Sequence, residues 1–170
     1  MTEARHPTLP ALPEDVRWAL ERAEGYLDLK MPAPARRELD RVPPEHQDHP
    51  AFLRVRLQSL MAGEEWAEAA ELAARLRQIE PGEPSHLIQQ AFATRRAKGI
   101  EEAKALLVEG LKAFPEVDVI PYNLACYECQ LGHVDAAMKY LDRALAKDSG
   151  WRAVALEDAD LRSLWPQLEA

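Results

Sequence analysis

Cysteine is nearly missing: Cys126 and Cys129 are the only two in 170 residues, so no disulfide framework can hold this fold together. Aromatic residues make up 6% of the chain. Strand-favouring residues are outnumbered by Ala, Leu, Glu, Arg and Lys, which excludes a sheet-rich fold and favours helices. Basic charge is short as well. Lys and Arg number 21 against 29 Asp and Glu, for a net charge of −8, and such a surface offers no cationic footprint for phosphates. Nucleic acid is therefore not an expected partner.

Long apolar runs are absent, which excludes a membrane-spanning helix. Trp165-Pro166-Gln167-Leu168 is the one faint apolar handle for a membrane, and membrane contact is not expected. The opening residues, Met1 to Pro7, are polar and proline-marked, unlike a secretory leader, so the expected location is the cytoplasm. No phosphate-cradling glycine loop, glycine-flanked serine or paired-histidine zinc motif occurs. The histidines (His6, His46, His49, His86, His133) fall in the N-terminal stretch or near helix boundaries, where they read as surface and capping residues. No enzyme and no cofactor are expected.

What is present is a repeat. Shifting the chain by 34 residues aligns Ala35, Ala69, Ala103 and Ala137 without a gap. Upstream in the same register stand Ala23, Leu57, Ala91 and Ala125. Downstream come Leu39, Ala73, Leu107 and Leu141, then Val42, Leu76, Gly110 and Ala144. Self-similarity at this period is the signature of stacked helical units. The units run over about 16–49, 50–83, 84–117 and 118–151, with a cap at 152–170 and a flexible tail at 1–12; residues 13–170 form a single domain.

Each unit reads as two helices. Pro50 and Pro84 suit a first helical position, where no N–H partner is needed, and Asp118 is placed to cap the fourth unit. Gly63, Gly99 and Gly132 mark the mid-unit breaks through positive φ. Pro32 and Pro34 start the second helix of the first unit, and Pro43-Pro44 ends it. The alanine column follows from packing: where two antiparallel helices cross closely, only a small side chain fits. In the cap, Val154, Leu161, Leu164 and Trp165 are expected to cover the last hairpin, Glu157, Asp158 and Asp160 to face water, and Pro166 to stop the helix.

The period and the small and large columns resemble the tetratricopeptide repeat family. The fourth unit carries the resemblance best, with Tyr122-Asn123-Leu124-Ala125, Leu131-Gly132, Ala137, Tyr140-Leu141 and Ala144-Leu145. The chain departs from the family in its aromatics: the late first-helix position holds Tyr26, then Leu60, Thr94 and Glu128. The resemblance implies an all-α, right-handed α-solenoid of about four helix-turn-helix repeats plus a capping helix. It also implies a non-catalytic scaffold or adaptor, whose first helices line a concave groove for a partner protein or peptide.

In that register the candidate groove residues are Arg54, Gln58, Met61, Ile88, Phe92, Arg95, Arg96, Tyr122 and Asn123. They combine aromatic and apolar side chains with arginines and include no acid. Such a surface suits a peptide carrying apolar and acidic residues, and the expected state is a monomer. The places that clamp a C-terminal carboxylate in some family members hold Arg54, Gln58, Gln89, Val119 and Asn123; Val119 replaces a needed cation, so that clamp is not expected. Cys126-x-x-Cys129 with His133 lacks a fourth ligand for tetrahedral zinc, and no metal is expected. In size and repeat class the chain is also similar to the bacterial kinesin light chain, which implies a tubulin-like filament as partner. Small repeat chaperones give a third alternative.

Overall fold

The computed structural model describes residues 11–169 and contains, among them, helices and turns and no strand. Residues 1–10 of the expected tail lie outside the described residues; Leu12 packs half-buried on the N-terminal core. Four hairpins follow one another: α1 (Glu14–Asp28) with α2 (Pro32–Leu39), α3 (Pro50–Ala62) with α4 (Trp66–Ile79), α5 (Pro84–Ala97) with α6 (Ile100–Ala113), and α7 (Val119–Gln130) with α8 (Val134–Leu145). A 3-10 turn, Pro44–His46, links the first two hairpins. The cap comprises α9 (Trp151–Glu157), a 3-10 turn (Ala159–Leu164) and α10 (Trp165–Leu168). Helices pack chiefly on their neighbours in sequence, with α1 also touching α3, the contact pattern of an α-solenoid.

The repeat columns sit where helices cross. Ala35, Ala69, Ala103 and Ala137 are all fully buried, as are Ala23, Leu57, Ala73, Leu107, Ala125, Leu141 and Ala144 to within 1%. Gly110 shows how tight one crossing is. A Cβ added there would stand 2.5 Å from Leu87 Cδ2, closer than carbon atoms pack. The leucine of α5 thus fills the space that an alanine or larger residue occupies at the same position of other units. Two apolar clusters result, one from the first two hairpins and one from the last two with the cap. They meet on α5, where Ala91 belongs to the second cluster and Ala93 to the first.

The turn inside each hairpin needs one residue with positive φ. Lys30 (φ 60°), Glu64 (φ 59°), Gly99 (φ 131°) and Gly132 (φ 81°) supply it. Gly63 was the expected residue in the second unit, but it has φ −87°, and the left-handed conformation falls on Glu64 instead. Pro50 and Pro84 open α3 and α5, and His49 caps α3 through its ring, which accepts from Ala51 N at 3.2 Å. Asp118 does not cap α7; its Oδ2 accepts the indole N–H of Trp151 at 2.9 Å. His86, expected at the surface, is 1% exposed in the first turn of α5.

The cap differs from its expected form. Leu161, Leu164 and Leu168 are buried, whereas Val154 is 48% exposed. Pro166 does not stop the chain's helicity but sits in the first turn of α10, where its missing N–H costs nothing. The helix breaks at Asp158, whose side chain accepts from Asp160 N at 2.9 Å and starts the 3-10 turn.

Candidate partner-binding groove

The helix register sends one face of each first helix away from its own hairpin partner. Along α1 and α3 these faces stand side by side and bound an open groove of about 480 Å³. Arg17, Leu20, Glu21 and Glu24 of α1 line it together with Arg54 and Gln58 of α3. The structure therefore brings Arg54 and Gln58 together, with Glu21 and Glu24 from the inner face of the first unit beside them. Arg54 donates to Glu80 Oε1 at 2.6 Å.

Glu80 also accepts from His86 Nε2 at 2.7 Å. His86 Nδ1 is buried and unpartnered, so Nε2 is the ring nitrogen that bonds the carboxylate. Burial raises the Glu80 carboxyl's proton affinity, but the bonds from His86 and Arg54 outweigh it and hold its pKa below the ordinary value. Arg54 is thus committed within the protein, with its side chain still 46% exposed.

Further along the face, Met61 and Ile88 are half-buried against the two cores. Phe92 is 37% exposed. Its ring meets that of Trp66, the first residue of α4, edge to face with centroids 5.7 Å apart. The Arg96 guanidinium lies 5.2 Å from the Trp66 centroid and 5.0 Å from that of Phe92. Trp66 was missed by sequence reasoning because it starts a second helix, outside the inner-face register. Its signal was its rarity, one of four tryptophans, placed one turn from the hairpin bend.

The same face of α7 is not open. Tyr122 is 5% exposed, stacks on Trp151 at 4.3 Å, and donates its hydroxyl to Asp158 Oδ2 at 2.9 Å. Burial first, then the bond to Asp158, pushes the phenol's pKa up. The Cys126 thiol points at the same Asp158 oxygen at 3.6 Å and is pushed up by burial and that carboxylate. Cys129 faces Ser163 Oγ at 3.4 Å. Both thiols are buried and free, and both meet the cap. Arg95 lies 5.2 Å over the Tyr127 ring and donates to Gln130 at 2.7 Å and to Asp160 Oδ2 at 3.2 Å. Asp158 and Asp160, expected to face water, thus face the protein. Asn123 is half-buried between these groups and the surface.

Chemically the face offers binding groups and no assembled catalytic set. Among the described residues no cluster of three potential metal ligands occurs, and His133 turns to Glu128 at 2.8 Å rather than to the cysteines. Among the described residues no helix is long and apolar enough to cross a membrane.

No family model matches the chain, and no curated protein matches it. Solved structures do. "MamA RS-1 ArsTM double mutant" superposes with a TM-score of 0.69 at 13% identity, covering 94% of this chain and 97% of that one. "MamA 41-end from Desulfovibrio magneticus RS-1" gives a TM-score of 0.68 at 13% identity, with 90% of each chain covered. These likenesses support the tetratricopeptide-like helical solenoid and not the kinesin light chain resemblance. The chain shares its fold with them.

Proposed function

We propose that this protein is a non-catalytic interaction scaffold that holds a partner protein or peptide along the inner faces of α1, α3 and α5. The observation that carries this reading is the open groove between α1 and α3, continued on α5 by Phe92 and Arg96. Exposed aromatic and arginine side chains in one patch are the groups that supply most interface energy. The C-terminal part of the face is filled by the protein's own cap, which sets the groove's length.

Site-specific photocrosslinking tests the reading. A benzophenone amino acid at Gln58, inside the groove, is expected to capture a discrete partner in cells. The same group at the exposed Glu71 of α4 serves as the outer-face control. Capture from Glu71 with none from Gln58 would refute the groove.

A further inference from the structure

Two adjacent arginines end α5, and they are built alike. Arg95 lies over Tyr127, 5.2 Å from its centroid, and donates to Asp160 Oδ2 at 3.2 Å. The next residue, Leu161, is fully buried in the core beside it. Arg96 lies over Trp66 and Phe92 at comparable distances. Among the described residues it has no carboxylate partner, whereas Arg54 and Arg95 each have one. The first arrangement is filled by the chain itself, by an acid followed by an apolar residue. The second has the cation and the rings and lacks the acid.

Resting on the groove reading above, we infer that Arg96, Trp66 and Phe92 form the anchor for an acidic–apolar pair in a partner peptide. The partner's Asp or Glu accepts from the Arg96 guanidinium while its neighbouring Leu, Phe or Trp covers the exposed edge of Phe92. A guanidinium already held against two rings loses little freedom when it grips a carboxylate, and the fork favours two parallel bonds. Covering Phe92 removes apolar surface from water and dries the ion pair, which strengthens it. The protein's own charge of −8 repels an acidic peptide at long range. Recognition therefore depends on this short-range contact rather than on steering.

The test selects peptides from a random twelve-residue phage library against the full chain and measures the best sequences as synthetic peptides by fluorescence anisotropy. Recovered sequences are expected to place Asp or Glu beside Leu, Phe or Trp. Arg96→Gln and Trp66→Ala should each weaken binding roughly tenfold to a hundredfold, with Arg96→Lys in between and circular dichroism unchanged for the Arg96 variants. Arg96 is exposed, so its loss does not threaten the fold. Peptides that lose affinity with Arg17→Gln and Gln58→Ala but not with Arg96→Gln would overturn the anchor and keep the groove. Peptides indifferent to all of these would overturn both. Recovery of no acidic sequence overturns the anchor. A concentration-dependent dimer dissolved by Arg96→Gln, seen by light scattering, would make a second copy the occupant and overturn a separate peptide partner.

Discussion

Gly110→Ala separates tight packing at a helix crossing from simple helix propensity, because the two effects have opposite signs. In an unencumbered helix, alanine is more favourable than glycine by about 1 kcal/mol. At Gly110 the new methyl would lie 2.5, 3.0 and 3.3 Å from Leu87 Cδ2, Cδ1 and Cγ. Leu87 is fully buried, so it can yield only by shifting within a packed core. Overpacking of this kind costs about 1–3 kcal/mol, so the net effect is a loss of roughly 0–2 kcal/mol once propensity is subtracted. That corresponds to a fall in Tm of up to about 4–8 °C at this size. Urea and thermal denaturation read the change directly. Leu87→Ala alone leaves a cavity and should cost about 2–5 kcal/mol. Combined with Gly110→Ala it should cost less, because the clash disappears, giving a coupling of about 1–2 kcal/mol. A stabilised Gly110→Ala with no coupling to Leu87 would refute the close crossing.

The hairpin turns give a second contrast: Glu64→Gly relieves a left-handed residue and is expected to be neutral or stabilising by up to about 1 kcal/mol, whereas Gly132→Ala should destabilise by about 1 kcal/mol, both read from denaturation midpoints. Glu38, held mainly by its bond from Arg22, and Glu80 and Glu128, where burial is outweighed by hydrogen bonds from His86 and Arg54 and from His133 and Lys104 respectively, have pKa values below the ordinary 4.5. The folded state therefore binds fewer protons than the unfolded state as pH falls, so their contribution is complete above about pH 5 and is lost through the depressed pKa values below it. Denaturation midpoints between about pH 6 and pH 3 should fall steeply, and Glu128→Gln should flatten that fall; an unchanged slope would contradict the pairing with Lys104 and His133. Because the buried Cys126 thiol is held protonated beside Asp158, iodoacetamide at neutral pH should label it far more slowly than the unfolded chain, and Asp158→Asn, which loosens the cap, should speed labelling; mass spectrometry of the labelled peptide checks both.

Much of the solenoid was legible because helix crossings impose the same size limit at each interval. Ala35, Ala69, Ala103 and Ala137 all met that limit and all are buried. Pro50 and Pro84 were legible as helix starts because their chemistry is local. The side of α3 that carries both Arg54 and Gln58 was legible from register, and the two line one cleft. Its electrostatics were not. Arg54 is paired with an acid 26 residues away and Arg95 with one 65 residues away, separations that no helical period encodes. Tyr122 was expected to line the open groove, but the cap folds over it because the chain breaks at Asp158. The Asp158-x-Asp160 turn that makes this break is a local signal, whereas its destination against α7 depends on Leu161 and Leu164 finding the core. Glu64 took the left-handed turn position beside Gly63, in the 34-residue register of Lys30 and Gly132, whereas the third unit places it one residue further on, at Gly99.

Amide hydrogen exchange of the full chain, with and without a bound acidic–apolar peptide, tests the inner-face scaffold most directly. Protection is expected in α3 and α5 and around Trp66, with α6 and α8 unchanged. Protection confined to α6 and α8 would place the partner on the outer helices and contradict the groove.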